Sequence, residues 1–422
     1  MYRFGLYCGA QNGSSVELKT ALCPSKYKRS DTTLFHAKYL TLVMKRCNHT
    51  DWLSLSTKDN ETALLESDRL QELLENIPNV ESQFPTLFVL IGNVAKSLAL
   101  QELISVKNVR RSPGRRRHGE IHLWLDPTSN FQNRPLLFAD GDLCTKVLRG
   151  KAALTPTCHE IIKHTFPRPR TGVPGLPLDE VADNLYSRLL HPFTDVFCLF
   201  SADIGGFRPI ACHIARWLEN GRASTLPKGT HPRLVVVTES IAPTVEKERE
   251  ARDTLLRLLS QETAKSVFEY FSEVDVVALF PESKMSNHAR HRRLKEFLMN
   301  VSDQVRMGRE EKRVLFFARH FNAFFRHACK HFVTSLEEPF DFIRVARQSN
   351  PVAKDLRQHL LNFLKFVKSP QDLINFAVPV IASSFSLDSY PPDAHSKLLS
   401  IFIFCMVTES SVRTFKRPRG TI

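Results

Sequence analysis

Six apolar runs of strand length recur between residues 87 and 283, and they constrain the fold more than any other feature of the chain. They are LFVLIG (87–92), EIHLWLD (120–126), PLLFAD (135–140), DVFCLFSAD (195–203), RLVVVTES (233–240) and DVVALFPES (275–283). Stretches with helical spacing alternate with the later runs: LDEVADNLYSRLLH before the fourth, FRPIACHIARWLEN after it, EKEREARDTLLRLLSQ after the fifth and HARHRRLKEFLMNVSDQV after the sixth. A strand that is apolar throughout has no face to give to water, so it needs cover on both sides. The alternation predicts an α/β fold, with a mainly parallel sheet covered by helices, over residues 80–303.

The rest of the chain divides around that region. Residues 1–79 read as a small lead-in with short alternating runs. Within it, NETALLESDRLQELLENI predicts a helix over 60–77, since Leu64, Leu65, Leu70, Leu73 and Leu74 recur at helical spacing. Residues 304–394 read as a helical domain, or a helical cap on the sheet, with Phe recurring on one side of EKRVLFFARHFNAFFRHACKHFVTSL, KDLRQHLLNFLKFVKS and PQDLINFAVPVIASSF. Residues 395–422 form an apolar and basic tail unlike those helices, as a truncation or a wrongly assigned exon would leave.

Bulk properties narrow the function less. A chain of 422 residues has room for two or three domains. The formal charge of +14 favours anionic partners, whether nucleic acid, lipid headgroups or acidic proteins. Nine cysteines without C-x-x-C spacing suggest reduced thiols rather than a disulfide or zinc framework. MYRFGLYCGAQNGSS lacks the apolar core of a signal peptide, and the run from Leu398 to Val407 is too short to span a bilayer. The expected location is cytoplasmic, with peripheral association at membranes.

The first apolar run opens FPTLFVLIGNVAKSLALQEL (84–103), a strand, a glycine, a Lys-Ser pair and a helical pattern. That is the layout of a P-loop, in which backbone N–H groups curl round phosphate, a Lys reaches the β/γ-phosphates and a Ser or Thr binds Mg²⁺. The loop is two residues short of G-x-x-x-x-G-K-[ST], and Ala95 stands where the second glycine belongs. Gly92, Lys96 and Ser97 are therefore weak phosphate-binding candidates, beside the plainer reading of a tight β–α turn. FADGD (138–142) offers Asp140 and Asp142 as a Mg²⁺ contact, as the start of a phosphatase-type D-x-D pair, or as a polar turn. VVVTES (235–240) puts Thr238 at the first position of a base-reading N/T-K-x-D motif, with Glu239 in place of its Lys. No cofactor is fixed by these motifs; Mg²⁺ with a nucleotide is the one they would accommodate.

Other candidates carry a plain reading too. SADIGGF (201–207) could present Gly205 and Gly206 N–H groups to an anion, though such a pair more often only makes the turn. VRRSPGRRRHGE (109–120) supplies Arg110, Arg111, Arg115, Arg116 and Arg117, and HARHRRLKEF (288–297) supplies Arg290, Arg292 and Arg293. Both could contact an anionic surface or stay solvated. Neither has the interleaved aromatics of a single-strand platform, so nucleic acid ranks below a membrane or a protein partner. His327 and His331 have the i, i+4 spacing that can hold zinc, but capped or solvated histidines fit that spacing better.

The order of strands and motifs resembles a P-loop NTPase of the GTPase kind, with the chemical motifs mostly lost. GVPGLPLDEVADNLYSRLL and DVFCLFSADIGG resemble a segment of dynamin-like GTPases. Longer strings, GEIHLWLDPTS, RPLLFADGDL, RPRTGVPGLPLDEVADNLYSRLLHPFTDVFCLFSADIGGF and RVARQSNPVAKDL, resemble the region upstream of the catalytic domain in large fungal patatin-like phospholipase proteins. That likeness implies a regulatory or partner-binding module, with an acyl-hydrolysing domain lying C-terminal to it in the full-length relatives. The family's serine in G-x-S-x-G and aspartate in D-G-[GA] have no counterpart here, so this chain is expected to lack lipase catalysis. The rival readings are a working NTPase using Lys96, Ser97 and Asp140, and a Mg²⁺-dependent phosphatase using Asp140 and Asp142.

If the basic loop meets an anionic surface, replacing Arg115, Arg116 and Arg117 by Ser will weaken binding to anionic vesicles. Raising the salt will weaken it likewise, since charges are screened beyond about 10 Å at 0.1 M. Co-sedimentation with anionic and neutral vesicles checks this; equal binding to both removes the electrostatic account.

Overall fold

A computed structural model of the chain describes residues 49–58, 61–80, 82–104, 119–129, 134–143, 159–167, 177–346 and 355–388. The basic loop with Arg110, Arg111, Arg115, Arg116 and Arg117 lies outside the described residues, as do residues 1–48 and the tail 395–422. The described residues belong to one compact unit, His49–Ile422.

All six expected strands form. They are β3 (Thr86–Ile91), β4 (Ile121–Leu125), β5 (Leu136–Gly141), β7 (Val196–Phe200), β8 (Arg233–Thr238) and β9 (Val274–Ala278). Every residue of β3, β5, β7 and β8 is buried, as their continuous apolar runs require. Three further strands join the same sheet: β1 (Asp51–Lys58), β2 (Glu61–Ser67) and β6 (Ile161–Thr165). The order across the sheet is β6-β2-β1-β4-β5-β3-β7-β8-β9.

Two expectations are corrected by this topology. The sheet is mixed rather than mainly parallel. From β5 through β3, β7 and β8 to β9 the neighbours run parallel, while the pairs β4–β5, β1–β4, β1–β2 and β2–β6 are antiparallel. The helix expected over 60–77 is half strand: Glu61–Ser67 is β2, and only Arg69–Glu75 is helical, as α1. The cause is tertiary. β2 is hydrogen-bonded on both sides, to β1 and to β6, and those two ladders outweigh the local helical spacing of its leucines. The strands on either side of residue 80, β2 and β3, therefore belong to one sheet.

Helices cover both faces of the parallel half. On one face Phe88, Leu90, Phe138, Val196, Cys198, Val235 and Val237 pack against α2 (Val94–Leu103) and the long helix that begins after β9. On the other face the alternate residues Leu87, Val89, Ile91, Leu137, Phe197, Leu199, Leu234 and Val236 join a larger core. The chain supplies that cover in order. After β6 come α3 (Leu178–Asn184), then α4 (Ser201–Ile204) and α5 (Phe207–Glu219) behind β7, α6 (Val245–Glu262) behind β8, and α7 (Asn287–Glu311) behind β9. Helix α8 (Ala318–Thr334) carries the phenylalanine face expected for a helical cap. It lays Phe325 on Trp52 of β1 at 4.6 Å between ring centres, and Phe332 against Phe166 at 5.7 Å. Helical segments Phe342–Ala346, Leu356–Leu364 and a run over 370–388 complete the described part of the expected helical region.

One buried ion pair ties the strand starts together. Asp195 precedes β7; its Oδ2 accepts the Leu87 N–H of β3 at 2.9 Å, and its Oδ1 meets Arg309 of α7 at 2.9 Å. Arg309 also donates to the carbonyls of Thr194 at 2.6 Å and Thr230 at 3.1 Å, so the buried guanidinium leaves little polar capacity unused.

Two buried histidines should make the fold acid-sensitive. His191 and His231 lie with ring centres 5.7 Å apart. His191 Nε2 is 2.8 Å from the Tyr270 carbonyl. Burial, then nearby positive charge, pushes His231 down to about 4 from 6.5 and His191 well below its ordinary value. Between about 6.5 and 4 the unfolded chain binds these protons and the folded chain resists them, so stability falls as pH falls through that window. Urea midpoints across the window will show the loss, and His231→Gln will lessen it, leaving the part that His191 contributes.

Candidate functional site

The parallel strands wind outward in both directions from β3: β5 lies on one side of it, and β7, β8 and β9 on the other. In such sheets ligand sites fall beyond the carboxyl ends of the strands where the winding changes direction. Here that place lies beyond the ends of β3 and β7, at the residues following Ile91 and Phe200.

Gly92 follows β3 with φ +154°, a conformation that suits glycine. A Cβ there would sit 2.6 Å from Asp203 Oδ2 and 3.0 Å from Phe200 Cβ, so the missing side chain also permits a close approach. The chain then enters α2, whose first N–H groups have no partner within their own helix. A carboxylate takes them. Asp203 Oδ2 accepts from Asn93 N at 2.7 Å and Lys96 N at 3.0 Å, and Oδ1 accepts from Val94 N and Ala95 N, both at 3.0 Å. Four converging donors and the positive end of a helix are what a P-loop offers a phosphate. In this chain the anion is its own side chain.

Asp203 is aimed there by α4, a single turn behind β7. Gly205 and Gly206, at φ +100° and +101°, end that turn, and their N–H groups donate to the Ser201 carbonyl at 3.0 and 2.8 Å. The glycine pair therefore makes the turn. SADIGGF does contribute to an anion-binding arrangement, but by supplying the acceptor rather than the donors.

Lys96 is fully buried and turns toward β5. Its Nζ lies 2.6 Å from Asp140 Oδ1 and donates to the Gly141 carbonyl at 2.7 Å. Asp140 is 4% exposed, so the two charges form a buried pair. Ser97 Oγ donates to the Asn93 carbonyl at 2.6 Å, inside the first turn of α2. Gly141 faces Tyr186, whose hydroxyl donates to the Asp142 carbonyl at 3.2 Å; a Cβ on Gly141 would meet that oxygen at 2.2 Å. Gly92, Lys96, Ser97 and Asp140 are thus brought together, and Asp142 follows β5 beside them.

Thr238 ends β8, one strand beyond β7. It is buried, with Oγ1 at 2.8 Å from Ser240 Oγ. The next residue, Glu239, pairs with Arg290 at 2.7 Å. Arg290 is 1% exposed and also meets Glu282 at 3.2 Å. Arg293 donates to the Ala278 carbonyl at 3.0 Å and to Glu248 at 2.9 Å; Arg292 is exposed and reaches Glu296 at 3.1 Å along α7. Of these three arginines only Arg292 stands out in solvent. His327 is exposed, and His331 Nε2 lies 3.0 Å from the Glu338 carbonyl, a capped histidine rather than half of a zinc pair.

No protein-family model and no curated protein matches the chain. Among solved structures it is similar to two mutation variants of SsGBP, one with serine and one with proline in place of the same glycine. The serine variant is 11% identical, with a TM-score of 0.26 over 53% of this chain and 57% of that one. The proline variant is 12% identical, with a TM-score of 0.25 over 56% and 61%. The chain spans less than two thirds of either, and a superposition that loose assigns neither fold nor function.

The buried pair gives a direct check on the geometry. Lys96→Ala leaves the Asp140 carboxylate buried without its ammonium, a change that costs about 3–5 kcal/mol. Adding Asp140→Asn should restore part of the loss, because the uncompensated charge goes too. Urea denaturation of both variants measures this; a loss under about 1 kcal/mol for Lys96→Ala would mean that Asp140 does not depend on it.

Proposed function

We propose that the chain is a degenerate P-loop-GTPase-like module that regulates or binds a partner and does not hydrolyse nucleotide. The observation that carries this reading is the Asp203 carboxylate seated on the N–H groups of residues 93–96. A nucleotide phosphate would need the same donors. It would have to displace a tethered carboxylate, and then endure its negative charge nearby. The short loop, with Ala95 for the second glycine, points the same way.

The GTPase-like part of the reading draws on strand order. β4 runs antiparallel to β5, and the sheet continues from there through β3, β7, β8 and β9. The P-loop-like turn follows β3, the FADGD carboxylate lies on β5, and the would-be base-reading segment follows β8. In the fungal patatin-like phospholipase proteins that the sequence resembles, such a module would stand before the lipase domain and act on it or on its membrane. The chain itself carries no G-x-S-x-G serine.

The working-NTPase alternative keeps Lys96, Ser97 and Asp140 in fitting places but requires Asp203 to leave the loop. The phosphatase alternative has less support, since Asp140 is held by Lys96 rather than exposed as a nucleophile.

Calorimetric titration with GTP and with ATP in Mg²⁺ tests the proposal. No binding tighter than about 100 μM, roughly −5.5 kcal/mol, is expected. Micromolar binding lost in Lys96→Ala would overturn it in favour of the NTPase.

A further inference from the structure

We propose that Glu66, His164 and Cys329 form a binding site for a zinc-class transition-metal ion. One ligand atom from each lies within 4.8 Å of the other two. Glu66 is on β2, His164 on β6 and Cys329 on α8. In the β2–β6 ladder Leu64 stands opposite His164, and Glu66 lies two residues along, so both side chains project from the same face of the sheet. Helix α8 covers that face and brings down Cys329.

The three side chains are the ligand types zinc uses: thiolate, imidazole and carboxylate. They are also sheltered. Cys329 is fully buried, Glu66 is 3% exposed, and the His164 side chain is 13% exposed. The carboxylate and imidazole already meet, with Glu66 Oε2 2.8 Å from His164 Nε2. Three protein ligands leave a tetrahedral ion one further position, for water or another donor.

A bound dication would displace the Cys329 thiol proton to solvent, and the thiolate and the Glu66 carboxylate would together neutralise its two charges. Arg326 opposes the cation, but it is exposed to solvent and hydrogen-bonded to Gln71. The ion would pin β2, β6 and α8 to one another, joining the antiparallel edge of the sheet to its helical cover.

Cobalt(II) and zinc(II) titrations of the chelator-stripped full chain test the site. Cobalt should bind with one-to-one stoichiometry and give a near-ultraviolet thiolate-to-metal band, and zinc should displace it and raise the melting temperature. Cys329→Ser should abolish the band and the zinc-dependent rise. Glu66→Gln, which keeps the thiol, should weaken binding by about tenfold or more. Absence of the band in the unaltered chain overturns the proposal. So does a band that survives in Cys329→Ser, since the ion would then sit on another cysteine. Should Cys329→Ser fail to fold, undiminished affinity in Glu66→Gln overturns it instead.

Discussion

The hydrogen bonds from residues 93–96 to Asp203 hold together the two strands from which the fold winds outward. They form one of two carboxylate ties between β3 and β7. At the start of the strands Asp195 accepts the Leu87 N–H and anchors Arg309. At their ends Asp203 accepts four N–H groups of the turn that follows β3. Helix starts always have N–H groups without a partner in their own helix. The chain meets that need within itself. Gly92 follows from the tie, because any side chain there would overlap Asp203.

This arrangement changes what the residues around it do. In a nucleotide-binding loop a lysine would extend toward phosphate. Here Lys96 is drawn down to Asp140 and the Gly141 carbonyl and loses all contact with water. A buried ion pair of this kind is a poor source of net stability but a strong constraint on geometry, since neither charge can move without stranding the other. It fixes α2 over β5 while Asp203 fixes it to α4, the turn behind β7. The first helix of the parallel half is thus held from both sides by side chains that a catalytic loop would leave free.

The sequence made some of this legible and hid the rest, for identifiable reasons. β3, β5, β7 and β8 were readable because burial on both faces leaves a continuous apolar run. β2 was not: Leu64 and Leu65 suit a helix locally, and Glu66 looks like a solvent residue although it is buried against His164. Its strand character comes from β1 and β6, which no local pattern records. Gly92, Lys96, Ser97 and Asp140 could be grouped because they sit at the ends of neighbouring recognisable strands. Asp203 could not be assigned as their anion, since only the side-by-side placement of β3 and β7 puts it within reach of residues 93–96. The same holds for Glu66, His164 and Cys329, which stand far apart in the chain on three elements.

The end of β8 repeats the lesson of the phosphate loop. A base-reading segment would place a lysine after its first residue, and this chain has Glu239 there. That glutamate pairs with Arg290, a guanidinium almost wholly removed from water and also paired with Glu282. The guanidinium would be costly to bury unpaired, and Glu239 and Glu282, both partly in water, supply its counter-charge. These pairs also turn outward-facing chemistry inward: part of the basic cluster at the start of α7 neutralises the chain's own carboxylates, through Arg290 and Arg293. Beyond β3 and beyond β8 alike, the charges are paired within the chain itself: Lys96 with Asp140, and Glu239 with Arg290.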